Sequence, residues 1–545
     1  MSSADRIRSE LIAAARDLGA DNNVDPMIER PRDPSLGDWA TNLAMTLARP
    51  LKKRPQEIAG LLRDRMRLSE AGVERVEIAG PGFMNFFLDP ARIAEGVRDI
   101  VAADENFGKS NAGNGESVNV EFVSANPTGP LHVGHGRQAA LGDAISTLLE
   151  WTGWNVTREF YYNDAGVQIE NLAASVRAWL KSFNGEELVI PEGGYHGEYI
   201  REIADQYVAE HGGSSTDQGD VKDFAVAALR AEQDLDLQAF GVKFDKYFLE
   251  SSLYTDGKVE QTVESLKAAG KTYESEGAMW LRTSEFGDDK DRVMRKRDGT
   301  YTYFLPDVAY HVTKWQRGFH RAIDVQGADH HSTTTRVRAG LQALDMGIER
   351  DYPEYVLHQM VTVMRAGEEV KISKRAGSYV TVRDLINEVG RDAVRFFFLM
   401  RKSDSQLVFD IDVALKQSEE NPVYYVQMAH ARMCGIFRVG EIDRESFTVQ
   451  GVDLTVLREP EELELIKALV DFPQVVAGAA AALEPHRIAT YLTETARLAH
   501  LWYHKHHVLG EPEDIMKARL ALARATQIVI RNALGILGIT APERM

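Results

Sequence analysis

The alternation of hydrophobic and polar positions divides this chain of 545 residues into three regions. In the first, residues 1–110, helical and strand-like periods are mixed, which predicts an α+β module. The expected elements are helices near Arg6–Leu18, Trp39–Ala48 and Pro55–Met66, then strands around Val76–Ile78 and Met84–Phe87. The polar, glycine-bearing stretch 107–116 is typical of a linker to the next region.

The second region, residues 117–400, alternates strands with helices, as a doubly wound parallel sheet of the Rossmann type does. Strands are predicted at Val118–Val123, Ala322–Val325 and Tyr355–Val363. An insertion at roughly 180–290 is rich in charge and glycine and is expected to be helical around Phe224–Phe240. Because ligands of such sheets bind beyond the carboxyl ends of the strands, we expect the turns after these strands to lie together.

The third region, residues 405–545, shows helical periodicity only and predicts an all-α bundle. Its expected helices are Val413–Arg438, Pro460–Leu483, His486–His507 and Glu513–Leu537. The pattern as a whole therefore predicts a multidomain α/β protein with an N-terminal α+β module, a Rossmann-like central domain and a C-terminal helical bundle.

Composition narrows the class of protein without naming a function. The formal net charge of −19 argues against indiscriminate nucleic-acid binding, although a local basic track remains compatible with it. Cys434 is the only cysteine, which excludes an intrachain disulfide and a cysteine-based zinc site. The N-terminus lacks the apolar core of a signal peptide, and the apolar stretch Val475–Leu483 is too short to span a bilayer. We therefore expect a cytoplasmic protein without membrane contact.

The run from Glu121 to Gly136 predicts a phosphate-binding turn. A strand ends at an Asn-Pro and a Gly-Pro pair, and a helix then opens with His132 and His135. These two histidines share one face of the first helical turn, where backbone N–H groups and the helix dipole attract phosphate. Gly134 and Gly136 leave room for a close ligand. Two chance surface histidines are the alternative, but the strand-turn-helix context favours a nucleotide triphosphate site.

A second motif lies about 240 residues later, at Lys371–Gly377. Lys371, Lys374 and an arginine in one glycine-flanked loop can neutralise the charge that builds on a leaving pyrophosphate. Alone, this loop could equally be a solvated run of charge. Following the histidine motif, it favours chemistry on a nucleotide.

With both motifs in this order, the chain resembles the class I aminoacyl-tRNA synthetases. His132–His135 matches the first signature of that class and Lys371–Arg375 matches the second. Within the class the chain is most similar to the arginyl-tRNA synthetases, a resemblance that covers essentially its whole length. The stretches that carry it are Leu36–Ala44, Glu121–Arg137, Tyr161–Gly166, Asp392–Arg395 and the C-terminal Ala541–Met545. Asp392–Arg395 closely approaches the family's Asp-Ala-Leu-Arg signature. One departure is Lys374, since many arginyl enzymes have lost the second lysine of this loop.

The resemblance implies an activity and a division of labour. It implies ATP-dependent ligation of L-arginine to its tRNA through an arginyl-adenylate, with attack by the terminal 2′-hydroxyl and activation that waits for tRNA. It assigns tRNA contact to 1–110, catalysis to 117–400 and anticodon binding to 405–545, and it implies a monomer. Mg²⁺ is expected to arrive with ATP, and no zinc, no DNA, no editing by the insertion and no metal site made by protein side chains are expected.

The resemblance also implies roles for individual residues. The catalytic set is His132, His135, Lys371 and Lys374, and the ATP-binding set is Gly134, Gly136, Gly327, Asp329 and Ser373. Arginine contacts are expected at Glu121, Asn126, Tyr303, Asp307 and Gln326, and tRNA contacts at Tyr425, His430, Arg432, Tyr503 and Met545. A guanidinium needs a partly desolvated carboxylate, and Tyr303 and Asp307 would share a face in a helix. Without the family match, Asp307 could be a simple charge at a helix N-terminus, and Asp329 could cap an ordinary turn.

Three rival functions remain. The first is a class I synthetase for another amino acid, with cysteine or lysine as the substrate. A cysteine enzyme would need a zinc site that one cysteine cannot build. A lysine enzyme is disfavoured by the N-terminal module and by Asp392–Arg395. A small-molecule nucleotidyltransferase would not need the helical C-terminal region. A non-catalytic tRNA-binding paralogue predicts damaged signatures, whereas both histidines and both lysines are present.

Overall fold

The computed structural model describes residues 3–21, 23–31, 33–164, 166–212, 218–370 and 380–545. Most of the basic loop, residues 371–379, therefore lies outside the described residues.

The N-terminal region is an α+β unit, as predicted. Its elements are α1 Ser3–Asp17, β1 Trp39–Thr41, α2 Leu43–Thr46, α3 Ala48–Leu51, α4 Pro55–Arg63, α5 Leu68–Ala71, β2 Val73–Ala79, β3 Phe83–Leu88 and α6 Pro90–Ala103. The strands form an antiparallel sheet in the order β1-β3-β2. The predicted helix over Trp39–Ala48 is wrong at its start. Trp39–Thr41 is fully buried and pairs with β3, so sheet pairing overrides the apparent helical period there.

The central region carries the parallel sheet. In chain order its elements are β4 Ser117–Glu121, α7 Val133–Trp151, β5 Asn155–Tyr162, α8 Val167–Phe183, α9 Glu198–His211, α10 Gln218–Ala239, β6 Lys246–Leu249, α11 Glu250–Thr255, α12 Lys258–Ala268, β7 Thr272–Ser275, β8 Ala278–Leu281, β9 Arg292–Arg295, α13 Phe304–Gln316, β10 Arg321–Gly327, α14 His331–Ala343, β11 Glu354–His358, β12 Val361–Arg365, β13 Glu368–Glu369, α15 Val382–Val389 and α16 Arg391–Leu399.

The strand order β11-β10-β4-β5-β6, parallel throughout, confirms the doubly wound architecture. The chain leaves β4 toward β5 on one side, whereas β10 lies on the other side of β4. The order thus reverses between β4 and β10, and the crevice at such a reversal is where ligands of open parallel sheets bind. The turns after these two strands are the predicted His132 turn and the Gly327 turn.

Two smaller sheets correct the sequence-based boundaries. β7-β8-β9 is an antiparallel sheet within and just beyond the insertion. The strand predicted at Tyr355–Val363 is two strands: β11 belongs to the parallel sheet, while β12 pairs with β13 and with a later strand, Leu407–Asp410. The expectation of helices only after residue 405 is therefore wrong at its first element.

The C-terminal region is otherwise helical. It comprises β14 Leu407–Asp410, α17 Ile411–Ala414, α18 Pro422–Val439, α19 Pro460–Val470, α20 Phe472–Ala482, α21 His486–Lys505 and α22 Glu513–Ile536. Two predicted helices are each divided. The first breaks before Asn421-Pro422, and the second breaks at Asp471, where a proline follows at the second position of α20. Pro460–Ala482 is long and apolar enough to cross a membrane by length and composition alone, but here it forms two helices that contact α21.

Arg395 joins the central region to the helical bundle. Its guanidinium is fully buried and donates to Asp143 Oδ2 of α7 at 2.6 Å, to the Leu537 carbonyl at 2.7 Å and to the Phe240 carbonyl at 3.2 Å. Asp392, three residues earlier, accepts from Gln427 of α18 at 2.9 Å. The stretch that matched the family signature thus makes the joint between the two regions.

Candidate functional site

The chain leaves β4 through a strained turn. Val123 and Ser124 have φ values of +71° and +41°, a region that a β-branched residue such as Val123 rarely adopts. The Ser124 hydroxyl donates to Glu121 Oε1 at 2.9 Å and accepts from the Tyr161 N–H at 3.3 Å. These contacts fix the turn and hold the Glu121 carboxylate at the end of the central strand. Backbone strain of this kind is typical of a binding site.

His132 and His135 form a stacked pair at the start of α7. His132 is the N-cap residue, and its Nδ1 accepts from the backbone N–H groups of Gly134 at 3.1 Å and His135 at 3.3 Å. His135 Nδ1 in turn accepts from the His132 N–H at 3.3 Å, and the ring centroids are 3.7 Å apart. In the neutral rings this leaves the proton on Nε2, the nitrogen that can donate to a phosphate oxygen.

The two glycines of this turn are required for different reasons. A Cβ at Gly134 would lie 2.9 Å from Cε1 of the His132 ring, so Gly134 keeps that ring in place. A Cβ at Gly136 would lie 2.8 Å from a Val382 methyl carbon and 2.9 Å from Cε2 of Phe398. Gly136 therefore allows close packing of α7 against α15 and α16, in addition to any contact with a ligand.

The far side of the basic loop returns to the histidine turn. Thr381 forms an isolated antiparallel bridge with His132, and the Val382 N–H donates to the Leu131 carbonyl at 2.9 Å. Thr381 also caps α15 by accepting from Asp384 N–H at 3.0 Å. The predicted residues Lys371, Ser373 and Lys374 lie outside the described residues, but the segment that follows them is attached to the first signature.

The Gly327 turn follows β10 across the crevice from β4. The Asp329 side chain folds back over Gly327, because a Cβ added at Gly327 would lie 2.5 Å from Asp329 Oδ1. The Asp329 side chain is 83% exposed. Gln326 is half-buried just before it. His358 is the neighbour of Gly327 on β11, and burial lowers the pKa of its imidazole to about 4. This histidine is therefore neutral at physiological pH.

A buried lysine lies behind the turns, and sequence reasoning missed it. Lys314 Nζ of α13 donates to Glu121 Oε2 at 2.6 Å and to Asp324 Oδ1 at 2.8 Å, and all three side chains are buried. His311 Nε2 contacts the other Asp324 oxygen at 2.7 Å. Glu121, His311 and Asp324 have the spacing of a metal site, with ligand atoms within 4.8 Å of one another. The Lys314 ammonium bridges the two carboxylates, however, and supplies the cation.

Burial and charge act against each other in this cluster. Burial raises the pKa of Glu121 above its usual range, and Lys314 opposes that rise. Burial alone would also raise the pKa of Asp324, but Lys314 and His311 outweigh it and hold that pKa below its usual range. The pKa of Lys314 is raised because the attraction of Asp324 and Glu121 exceeds its own cost of burial. Lys314 therefore stays charged.

Asp307 lies in a strongly acidic pocket. It is half-buried in the first turn of α13, and burial raises the pKa of its carboxyl from 3.8 to about 7, with Glu250, Glu121 and Asp324 adding to the rise and His311 opposing it. Glu250 accepts a hydrogen bond from Tyr161 at 2.9 Å. A carboxyl group whose ionised form is disfavoured by burial first, and by acidic neighbours next, is a site where a bound cation is stabilising.

Two further predicted residues lie at the start of α13 and on the turn after β4. Tyr303 is the residue before α13, and 80% of it is exposed. Asn126 is half-buried on the turn after β4, where its amide donates to Gln168 Oε1 at 2.6 Å. Both side chains can meet a ligand at the carboxyl ends of the strands without a large rearrangement.

The predicted tRNA contacts divide into two groups. Arg432, Tyr503 and Met545 line one cavity of about 580 Å³ in the helical bundle, and the Arg432 guanidinium lies 5.6 Å from the Tyr503 ring centroid. Tyr425 lies beside it through His500, at 4.5 Å between ring centroids. The prediction that His430 contacts tRNA is corrected, because only 1% of this residue is exposed. Its ring contacts the Pro542 carbonyl at 2.9 Å, so it anchors the C-terminal segment instead of facing a ligand.

The missed residues had a weak signal. Asp324 stands within an apolar strand and Lys314 within an apolar helix, and a charge in such a place requires a partner. Their partners could not be assigned, because Lys314 and Glu121 are 193 residues apart in the chain.

Comparisons with known proteins agree with this geometry. Residues 4–88 match the family model for the arginyl-tRNA synthetase N-terminal domain, residues 96–432 that for the catalytic domain of class I tRNA synthetases (R), and residues 426–545 that for the DALR anticodon-binding domain. An arginine–tRNA ligase of Herminiimonas arsenicoxydans is 53% identical, with 99% of each chain covered. One of Geotalea daltonii is 56% identical, with 95% of each chain covered. The structure of Thermus thermophilus arginyl-tRNA synthetase has the same fold, with a TM-score of 0.78, 23% identity, and 99% of this chain and 100% of that chain covered.

Proposed function

The chain belongs to the arginyl-tRNA synthetase family of class I, and from that premise we propose how its residues carry out arginine charging. The reaction joins L-arginine to tRNA at the expense of ATP. It proceeds through an arginyl-adenylate, followed by attack of the terminal 2′-hydroxyl of tRNA.

The acidic pocket around Asp307 is the observation that carries the assignment of substrate to site. Asp307 binds the guanidinium, because a planar, permanently charged fork supplies the cation that this pocket lacks. Burial, and after it the neighbouring carboxylates, raise the pKa of Asp307 to about 7 in the free protein, so its ionised form gains from a bound cation. Tyr303 closes over the side chain, and Glu121, Asn126 and Gln326 hold the amino-acid end near the strand termini.

The nucleotide lies across the crevice between β4 and β10. Nε2 of His132 and His135 donates to phosphate oxygens along the line of attack, with the start of α7 adding its backbone N–H groups. Gly134 and Gly136 allow close approach, and Gly327 and Asp329 receive the ribose. Lys371 and Lys374 neutralise the leaving pyrophosphate, together with the Mg²⁺ of MgATP, which enters as part of the substrate, and the Ser373 hydroxyl hydrogen-bonds to the nucleotide.

The helical bundle reads the tRNA. The cavity lined by Arg432, Tyr503 and Met545 combines an aromatic face with a cation, as a pocket for an unstacked base does. Residues 1–110 contact another part of the tRNA, 117–400 form the catalytic domain and 405–545 the anticodon-binding domain. The enzyme acts as a monomer in the cytoplasm, and activation waits for tRNA.

The test is ATP–pyrophosphate exchange over all amino acids, each with and without total tRNA. We expect exchange with arginine only, and only when tRNA is present. Exchange with arginine in the absence of tRNA would keep the substrate and overturn the tRNA dependence. Exchange with another amino acid would overturn the proposed role of Asp307.

A further inference from the structure

We propose that Gln233, in helix α10 of the insertion, is a positioning residue for arginine activation. It holds the turn between β4 and α7 in its working shape. The inference rests on the proposed function of that turn, since it assigns the insertion a task in the first step of the reaction.

Gln233 is fully buried and reaches out of the insertion into the signature turn. Its Nε2 donates to the Asn126 carbonyl at 3.1 Å and to the Gly129 carbonyl at 2.8 Å. A second insertion residue, Tyr199 of α9, donates its hydroxyl to the Thr128 carbonyl at 2.9 Å. Three carbonyl groups of one short turn are thus held by two side chains from the insertion.

This turn depends on outside contacts for its shape. Pro127 and Pro130 have no N–H group, so neither can donate a backbone hydrogen bond across the turn. Within the turn, the Thr128 N–H donates to the Asn126 carbonyl at 2.8 Å. Asn126, which carries a proposed arginine contact, precedes the prolines, and His132 follows them. A shift of the turn would therefore move an amino-acid contact and a phosphate contact together.

The same face of α10 continues to the second signature. Three residues after Gln233, Asp236 accepts from Arg383 at 2.8 Å, and Arg383 also donates to the Leu235 carbonyl at 2.8 Å. Arg383 lies in the first turn of α15, which begins directly after the segment that follows the basic loop. Helix α10 thus braces the turn of the first signature and the helix that follows the second, which fits a positioning role for the insertion.

The test compares Gln233→Met with Gln238→Met as a matched control. Methionine fills a similar volume but cannot donate to the two carbonyls. Gln238 lies on the same helix, is exposed, and is bonded to Asp234 at 2.6 Å, so its loss should leave activity unchanged. Arginine-dependent pyrophosphate exchange is measured with tRNA present. Each rate is divided by the concentration of active sites, which is measured from the amount of adenylate formed in a single turnover.

For Gln233→Met we expect about a tenfold fall in kcat/KM for arginine, the effect of about two ordinary hydrogen bonds, with an unchanged KM for tRNA. On an Asn126→Ala background the same substitution should cost less than it does in the wild-type protein, because the part of its effect that passes through the Asn126 side chain is already lost. Values within twofold of the wild-type protein, or full additivity with Asn126→Ala, would overturn the proposal.

Two outcomes need separate treatment. If Gln233→Met does not fold, Tyr199→Phe removes the third carbonyl contact alone and should lower kcat/KM for arginine about threefold; no change there would equally overturn the proposed role of the insertion. If the wild-type protein and Gln238→Met show no exchange with arginine, it is the proposed function that fails.

Discussion

Arginine binding should depend on pH through Asp307. In the free protein, burial and the neighbouring carboxylates raise the pKa of this group to about 7. In the proposed complex the guanidinium pairs with the carboxylate, so arginine binds the ionised form and lowers the pKa of Asp307. Arginine must therefore displace a proton wherever the free protein holds one, and its own groups do not titrate between about pH 5.5 and 7.

The size of the effect follows from the pKa. With a midpoint near 7, about half of the Asp307 carboxyls are ionised at pH 7 and about a tenth at pH 6. The apparent Kd for arginine should thus rise about fivefold between pH 7 and pH 6 and approach a tenfold change per unit below that. The free energy of unfolding also depends on pH through Asp307, but in the opposite direction: it falls as the pH rises, whereas arginine binding becomes stronger. The contribution of the protonated carboxyl to stability is fully present below its ordinary pKa of 3.8 and is lost progressively as the pH rises from there through about 7.

Isothermal titration of arginine into the protein without ATP isolates this step from the histidines of the phosphate site. Titrations in buffers of different ionisation enthalpy at pH 6 should show release of nearly one proton per arginine. Asp307→Asn should bind weakly and without this pH dependence. Glu250→Gln removes one of the neighbouring charges while its amide oxygen can still accept from Tyr161, so it should move the midpoint to lower pH. A pH-independent Kd in the wild-type protein, or an unchanged profile in Asp307→Asn, would refute the reasoning.

Three further predictions concern the cluster, the signature turn and the bundle. Lys314→Met leaves two buried carboxylates without their cation and should cost about 3–5 kcal/mol in urea unfolding; a loss below about 1 kcal/mol would contradict the bridging role. Gly136→Ala places a Cβ 2.8 Å from a valine methyl carbon and should lower the free energy of unfolding by about 1–3 kcal/mol. Gly134→Ala instead places a Cβ against the His132 ring, so it should lower kcat and have little effect on the free energy of unfolding. Tyr503→Ala should raise KM for tRNA about tenfold in charging assays and leave KM for arginine unchanged; equal changes in both would place the effect outside the proposed base pocket.

The parts of the fold that repeat locally were predictable. The His132 turn, the alternating strands and helices of the sheet and most of the bundle follow from short-range periodicity. The errors occur where distant pairing decides the structure. Trp39–Thr41 is a strand because β3 lies beside it, and Leu407–Asp410 is a strand because β12 does. The strand predicted at Tyr355–Val363 divides for the same reason, since its two halves pair with different sheets.

The candidate site was predictable only as far as its signatures extend. The histidines, glycines and Asp307 stand in recognisable local patterns. The Lys314 bridge brings together residues 10 and 193 positions apart, and the Gln233 contacts join residues 104 and 107 positions apart. Such pairs leave no periodic trace, because their partners lie in different elements that are far apart in the chain. Burial identifies them as residues that need a partner, and only the tertiary structure supplies it.

The charges behind the pocket explain why a lysine of the protein does not satisfy Asp307. Lys314 is fully buried between Glu121 and Asp324, at 2.6 and 2.8 Å, so its ammonium is engaged by the two carboxylates that hold the strand ends in place. Burial raises the pKa of Asp307, and repulsion from those two carboxylates and from Glu250 adds to the rise. Lys314 is therefore not available to pair with Asp307. Lys314 stabilises the framework permanently, while the Asp307 carboxyl stays protonated up to about pH 7 until a substrate cation takes the place of the proton. A substrate without a positive side chain would leave this group protonated or, above its pKa, unpaired, so the site favours a cationic side chain before any contact with individual nitrogen atoms is counted.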